Sequence, residues 1–103
     1  MLNLYFESED GDLVIIYYGE TCIVYNPLDC ENGKIFNVGD WGFTYCDFLD
    51  TCYKIGGEDT FWELVYNEIE NGVIEEEKEL FNEFIEDNNL KEKYEEKLKE
   101  WYE

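Results

Sequence analysis

Residues 13–25 read LVIIYYGETCIVY. Two runs of β-branched and aromatic residues, Leu13 to Tyr18 and Thr21 to Tyr25, flank Gly19-Glu20. Such runs favour extended backbone, and a two-residue connection with Gly first suits a tight hairpin turn. This hairpin decides the fold, because its neighbours on both sides continue the pattern. Upstream, Leu2, Leu4 and Phe6 alternate with polar or amphipathic residues, the period of two expected of a further strand. Asp10-Gly11 is a second hairpin signal. Downstream, Pro27 to Gly33 reads as a loop with Asn32-Gly33 as its turn, and Lys34 to Val38 (KIFNV) as a short fourth strand. The N-terminal third is therefore expected to form an antiparallel meander of three or four strands. Residues 3–8, NLYFES, are similar to the protease-cleavage tag NLYFQS but carry Glu7 where the tag has Gln; we read them as native strand.

From Trp41 the period changes. Trp41, Tyr45, Phe48, Leu49 and Cys52 fall at i, i+4, i+7, i+8 and i+11, one face of a helix. Thr44 with Asp47 offers a start, and Gly56-Gly57 a stop. Thr60 with Glu63 has capping-box spacing for a second helix, with Phe61, Leu64, Val65 and Ile69 inward and Gly72 where a C-terminal glycine belongs. A third helix is expected from about Val73 to Asp87, with Ile74, Leu80, Phe81, Phe84 and Ile85 inward. Asn88-Asn89 interrupts it. Asn89 with Glu92 can cap a fourth, which places Leu90, Tyr94, Leu98 and Trp101 on one side. No internal repeat or linker is visible. The expectation is a single α+β domain over residues 1–103, with the meander first and three or four helices after it.

Charge bounds the function. The chain has 27 Asp and Glu against 7 Lys, with no Arg and no His, a formal net charge of -20. This exceeds what a small domain needs for solubility, and like charges so dense destabilise the compact state. An excess that works against folding points to a positively charged partner, of which nucleic-acid-binding grooves are the commonest large kind. The same charge predicts avoidance of anionic membranes and no direct binding of nucleic acid. Hydrophobic residues at 45% and aromatics at 18% exclude the composition of disorder. No apolar run approaches the roughly 20 residues of a membrane span, and residues 1–12 lack a basic n-region and an apolar h-region, so the expected location is the cytoplasm. The chain also lacks Ala and Gln, and Pro27 is its single proline. Its dominant residues have A/T-rich codons, which points to a low-GC genome, bacterial or phage. Salt-adapted chains, usually rich in Ala and poor in Lys, Ile and aromatics, do not look like this.

The acids are unevenly spread. Residues 58–87 hold 12 acids and one base, Lys78, a net of -11 in 30 residues. Residues 88–103 hold 5 acids and 4 Lys, the mixed pattern of a solvated helix face. Asp59, Glu63, Asn67 and Glu70 lie at i, i+4, i+8 and i+11 on the second expected helix, opposite its apolar residues. Glu75, Glu79, Glu83 and Glu86 repeat that spacing on the third, with Glu76, Glu77 and Asp87 beside them. Steps of four residues advance about 6 Å along a helix, and a nucleic-acid strand carries a phosphate about every 3.4 Å. Two acidic stripes therefore approximate a phosphate track. Tyr66 falls close to the first stripe and is expected among its carboxylates. Tyr17, Tyr18, Tyr25, Trp41, Trp62, Trp101 and Tyr102 add more large rings than an interior this small holds, and Tyr and Trp are favoured interface anchors. The expected partner-binding residues are Asp59, Glu63, Tyr66, Glu70, Glu75, Glu76, Glu79, Glu83, Glu86 and Asp87. The acidic N-terminal turn at Glu9, Asp10 and Asp12 is the other candidate face.

In composition the whole chain resembles the small acidic nucleic-acid mimics that phages and mobile elements use against host defence, the anti-CRISPR and anti-restriction proteins. The resemblance implies an inhibitor whose carboxylates occupy the nucleic-acid site of a CRISPR effector or restriction enzyme. No sequence motif carries it, so it transfers no residue roles. Two other readings stand beside it: an immunity protein or antitoxin that neutralises a basic toxin, and an acidic scaffold or adaptor. Catalysis has little support. No His offers a proton shuttle, no Arg clamps a phosphate, and paired carboxylates would need a deep sugar cleft. Cys22, Cys30, Cys46 and Cys52 lack the short spacing of a structural zinc site and are expected as free thiols, mostly buried. No window fits an EF-hand. No metal or cofactor is expected.

Overall fold

The structure, a computed structural model, describes residues 2–102, the side chains of Cys30 and Asn32 excepted. Four strands, β1 (Leu2–Glu7), β2 (Val14–Tyr18), β3 (Thr21–Asn26) and β4 (Asp29–Asn37), form one antiparallel meander in the order β1-β2-β3-β4. The hairpin of residues 13–25 forms as expected, with Tyr18 opposite Thr21 across the Gly19-Glu20 turn. The β1–β2 connection is organised by Ser8, which is almost fully buried. Its hydroxyl accepts the backbone N–H groups of Asp12 and Leu13, each at 3.1 Å, and donates to Asp12 Oδ1 at 2.7 Å. The NLYFES stretch is thus an integral edge strand.

The β3–β4 connection differs from expectation. The turn lies at Pro27-Leu28, and β4 runs through Asn32-Gly33 without a break. The Asn26 side chain accepts the N–H of Leu28 at 2.9 Å, which closes a tight turn just ahead of the predicted one. An irregularity between Val24 and Asn26 adjusts the register to Asn26 opposite Asp29.

After a 3-10 turn, Val38–Asp40, the chain enters α1 (Trp41–Glu70), then α2 (Val73–Glu76), α3 (Lys78–Asp87) and α4 (Lys91–Tyr102). The helix starts earlier than Thr44-Asp47 implied: Asn37 caps the 3-10 turn by accepting the Gly39 N–H at 2.8 Å, and the turn feeds directly into Trp41. The two helices expected on either side of Gly56-Gly57 lie end to end within Trp41–Glu70, divided as expected by the non-helical backbone of Gly57 (φ 84°, ψ 178°), where the axis kinks. The capping box at Thr60 and Glu63 does not form, because the second helical half begins ahead of Thr60, directly after Gly57. Thr60 is buried, and its hydroxyl donates to Asp12 Oδ1 at 3.2 Å, which ties the kink to the β1–β2 loop. Gly56 is fitted to the same junction, since a Cβ there would lie 2.6 Å from Thr60 Cγ2 and 3.3 Å from Leu13 Cβ.

The third expected helix is divided. Glu77 (φ -106°, ψ 32°) separates the single turn of α2 from α3. Asn89 adopts left-handed backbone (φ 58°) and ends α3 instead of capping α4. Leu90 N–H donates to Ile85 O at 2.7 Å and Asn89 N–H to Glu86 O at 3.2 Å, the paired bonds of a Schellman stop. Leu90 is buried there, the apolar contact that accompanies the motif.

The core lies between the sheet and α1. Ile15, Cys22, Val24 and Phe36 of the inner face meet Tyr45, Phe48, Leu49 and Cys52 of α1. Phe36 and Phe48 meet edge to face at 5.9 Å between centroids. Beyond the kink, Phe61, Leu64 and Val65 carry the core into the helical layer, where Phe61 meets Phe84 at 5.6 Å and Phe81 meets Tyr94 at 4.9 Å. Cys22 and Cys52 are buried free thiols, Cys46 is half-buried, and Cys30 lies outside the described side chains. On the outer face of the sheet, Leu4, Ile16, Ile23 and Ile35 pair across all four strands in one apolar row, with Leu4 63% and Ile35 70% exposed. Among the described residues no helix is long and apolar enough to cross a membrane.

The kink gives a direct test. At Gly57 a Cβ meets no neighbour, so the cost of Gly57→Ala is purely conformational. It is expected to destabilise the protein by about 1–3 kcal/mol, the range for side chains forced into this backbone region. Gly42→Ala, at an open helical position of α1, is expected to stabilise it by up to about 1 kcal/mol. Urea denaturation of the two variants checks the sign of each.

Candidate functional site: an acidic helical face above a buried carboxylate

The second half of α1 carries two kinds of acid. Asp59 and Glu70 are exposed and Glu63 is half-buried, on the side away from Phe61, Leu64 and Val65. Glu68 falls in the middle of the apolar side, seven residues after Phe61 and four after Leu64, and is 1% exposed. Sequence inspection counted Glu68 within the acidic segment. Its place in the i, i+3, i+4, i+7 series of the buried stripe was the signal that separates it from the others.

Glu68 is held by two phenols. Tyr5 of β1 donates to Glu68 Oε2, and Tyr45 donates to Oε1 at 3.3 Å. Tyr5 also stacks on Tyr17 of β2, with centroids 4.7 Å apart. The group therefore links the edge strand, its neighbour and both halves of α1. Burial raises the Glu68 carboxyl from its ordinary 4.5 to about 7, against the opposing pull of the two phenol hydrogen bonds. Burial and the Glu68 charge in turn push Tyr5 and Tyr45 far above the ordinary phenol range, and hold the Cys22 thiol up at about 12. At neutral pH these are structural groups, without a nucleophile among them.

The ten expected partner residues lie outside this core. Asp59, Tyr66, Glu70, Glu75, Glu76, Glu79, Glu83, Glu86 and Asp87 are exposed and Glu63 is half-buried. Tyr66, 41% exposed, sits among carboxylates as expected, and the charge of Glu70 raises its phenol. On α3, Glu79, Glu83, Glu86 and Asp87 lie on one continuous helix, opposite buried Phe81, Phe84 and Ile85. Glu83 and Asp87 approach α1 closely enough to raise the half-buried Cys46 thiol, though burial is the larger cause. The break at Glu77 takes Glu75 and Glu76 off that helix, so the stripe expected over Glu75, Glu79, Glu83 and Glu86 is interrupted after its first member. Glu75, Glu76 and Glu79 instead border one shallow cavity with Gly42 of α1.

Asp59, Glu63 and Tyr66 converge with residues from two other parts of the chain. They line a cavity of about 440 Å³ with Glu9 of the β1–β2 turn, Trp62, and Lys97 and Trp101 of α4. The Glu9 N–H donates to Glu63 Oε2 at 3.2 Å, and Tyr66 meets Trp101 edge to face at 5.3 Å. The two faces considered from sequence, the helical stripe and the N-terminal turn, are thus adjacent at Glu9 and Glu63. Sequence spacing could not reveal this, because the residues are brought together across 54 positions by the β1–β2 loop. Among the described residues, no cluster of His, Cys, Asp and Glu is arranged to hold a metal ion. No known protein family, curated protein or solved structure matches this chain.

The raised Glu68 carboxyl fixes a pH dependence. Its folded value of about 7 lies above the ordinary 4.5, so its contribution to stability is fully present below about 4.5 and is lost as pH rises through 7. The loss is on the order of 3 kcal/mol. Glu68→Gln, uncharged at every pH, is expected to flatten this part of the profile and to be the more stable protein at pH 8. Denaturant melts of both proteins between pH 5 and 8 check it; parallel profiles would remove the effect.

Proposed function

We propose that this protein is an electrostatic decoy: it occupies the nucleic-acid-binding surface of a basic protein, in the first instance a bacterial defence nuclease such as a CRISPR effector or restriction enzyme. The observation that carries this reading is the exposure of uncompensated acid along three successive helical segments. Of the ten residues named above, Glu86 alone has a lysine within ion-pair distance among the described residues, Lys91 at 3.8 Å. Carboxylates held apart on rigid helices and left without counter-charges favour a surface that supplies cations. Lys and Arg side chains placed for phosphates are such a surface.

The mechanism is competition. Each carboxylate pairs with a cation that otherwise contacts a phosphate, and the like charges of this chain and of nucleic acid exclude simultaneous binding. The aromatic core and the buried Glu68 maintain the spacing. The reading assigns this chain no chemical step, metal or cofactor.

A pull-down from a low-GC bacterial lysate identifies the partner, and charge reversal then tests the face. Replacing Glu75, Glu79, Glu83 and Glu86 together with Lys is expected to abolish inhibition, since like charges set against a basic groove cost several kcal/mol. The melting temperature is expected to hold or rise slightly, because repulsion at four-residue spacing is relieved. The same reversal at Glu92, Glu95, Glu96 and Glu100, on the charge-balanced α4, is expected to matter much less. Equal loss from both sets would mean that only total charge counts. Affinity is expected to fall steeply with salt, as exposed pairs are screened over about 8 Å at physiological ionic strength. The isolated protein is expected to give no mobility shift with DNA or RNA.

A further inference from the structure

The cavity beside the acidic stripe has a chemistry of its own. Three carboxylates line it, from Glu9, Asp59 and Glu63, and none of them has an ion pair among the described residues. Its single base is Lys97, whose ammonium lies 3.4 Å from Glu100 Oε2. The like charges are kept together by the Glu9 N–H on Glu63 and by the Ser8-centred turn that holds Glu9 in place. The remaining lining is aromatic: Trp62, Tyr66 and Trp101, with Tyr66 set edge to face against Trp101. Trp62 is 2% exposed, inside the core and not among the outer rings the sequence suggested, so the accessible rings are Tyr66 and Trp101; with uncompensated carboxylates beside them they match a cation that is flat, delocalised and weakly hydrated. A guanidinium group meets both demands, because it stacks on aromatic faces and donates two parallel hydrogen bonds to a carboxylate.

We infer that this cavity is the anchor site for an arginine side chain of the basic partner, with the guanidinium held between the aromatic rings and the carboxylates of Asp59 and Glu63. The inference rests on the decoy reading and adds a specific seat to its diffuse attraction. Exposed carboxylates on α3 are screened and interchangeable, whereas a part-enclosed aromatic seat sets position and orientation. The arginine enters here, and the α3 acids then align with the neighbouring cations of the partner.

The probe is N-acetyl-arginine amide, titrated into the intact protein at constant ionic strength while the indole N–H resonances of Trp41, Trp62 and Trp101 are followed. N-acetyl-citrulline amide is the uncharged comparison, and N-acetyl-lysine amide the point-charge one. Saturable shifts are expected at Trp62 and Trp101 and not at Trp41, which lies at the opposite end of α1. The arginine probe is expected to bind more tightly than the lysine probe, and the citrulline probe to leave the resonances in place. Asp59→Asn with Glu63→Gln is expected to weaken binding by about tenfold. Glu79→Gln with Glu83→Gln, the same change of charge away from the cavity, is expected to leave it unchanged. Trp101→Leu, which keeps every carboxylate, is expected to remove the preference for arginine over lysine. Equal weakening by the two carboxylate pairs, equal shifts at all three tryptophans, or binding of the citrulline probe would overturn the anchor site. None of these results would touch the decoy reading, which stands or falls on charge reversal along α3 with the partner itself.

Discussion

The packing of one kinked helix over two layers is the constraint on which the rest of the structure depends. The first half of α1 covers the inner face of the sheet and meets α3 where Cys46 Sγ donates to Leu80 O, and its second half packs Phe61 on Phe84. Gly57 changes the direction of the helix between these tasks, and Thr60 and Gly56 fix the change against the β1–β2 loop. A chain with so high a net charge experiences repulsion across its whole surface. What opposes it is an interior built from large rings, each of which removes much apolar area from water. The buried Glu68 is the exception inside that interior. It is tolerated because two phenols satisfy it, and because its neutral form is within reach near neutral pH.

Most of the architecture was legible in the order and period of the residues. The alternation in Leu2 to Phe6, the hairpin of residues 13–25 and the apolar stripes from Trp41 onward gave the meander, the helices and most buried positions of the helices. The departures share a physical cause. Asn32-Gly33 and the Thr60–Glu63 pair are strong local signals, and each was overridden by a contact from elsewhere, whereas Gly56-Gly57 interrupts the helix as read. The Asn26 turn came first, and Asp12 engaged the Thr60 hydroxyl. The site was legible to a lesser degree. Spacing placed the α3 acids on one face and Tyr66 outward, but it could not foresee the break at Glu77, the burial of Glu68 or the approach of Glu9 to Glu63. Those depend on tertiary position, for which a single sequence has no period.

The surface divides its labour. Charge balance is concentrated on α4, where lysines are interspersed among the acids and Lys97 pairs with Glu100, and α1 adds the pair of Lys54 with Asp50 at 2.9 Å. The uncompensated acids occupy the preceding helices, at positions the core dictates through Phe61, Leu64, Phe81, Phe84 and Ile85. Fold and electrostatics are therefore coupled: the same periodicity that fills the interior sets the spacing of the carboxylates outside it.

The apolar row on the outer face of the sheet gives the charge a second consequence. Leu4, Ile16, Ile23 and Ile35 form an apolar strip, with β1 and β4 as the outer strands of the sheet. Strips of this kind stack readily on one another. At neutral pH every approach of two copies brings together two strongly negative bodies, and the long-range repulsion keeps the strips apart. Near the isoelectric point of about 4.1 that protection vanishes. Colloidal stability and conformational stability then respond to acid in opposite directions: protonating Glu68 favours the folded molecule, while discharging the surface favours its self-association.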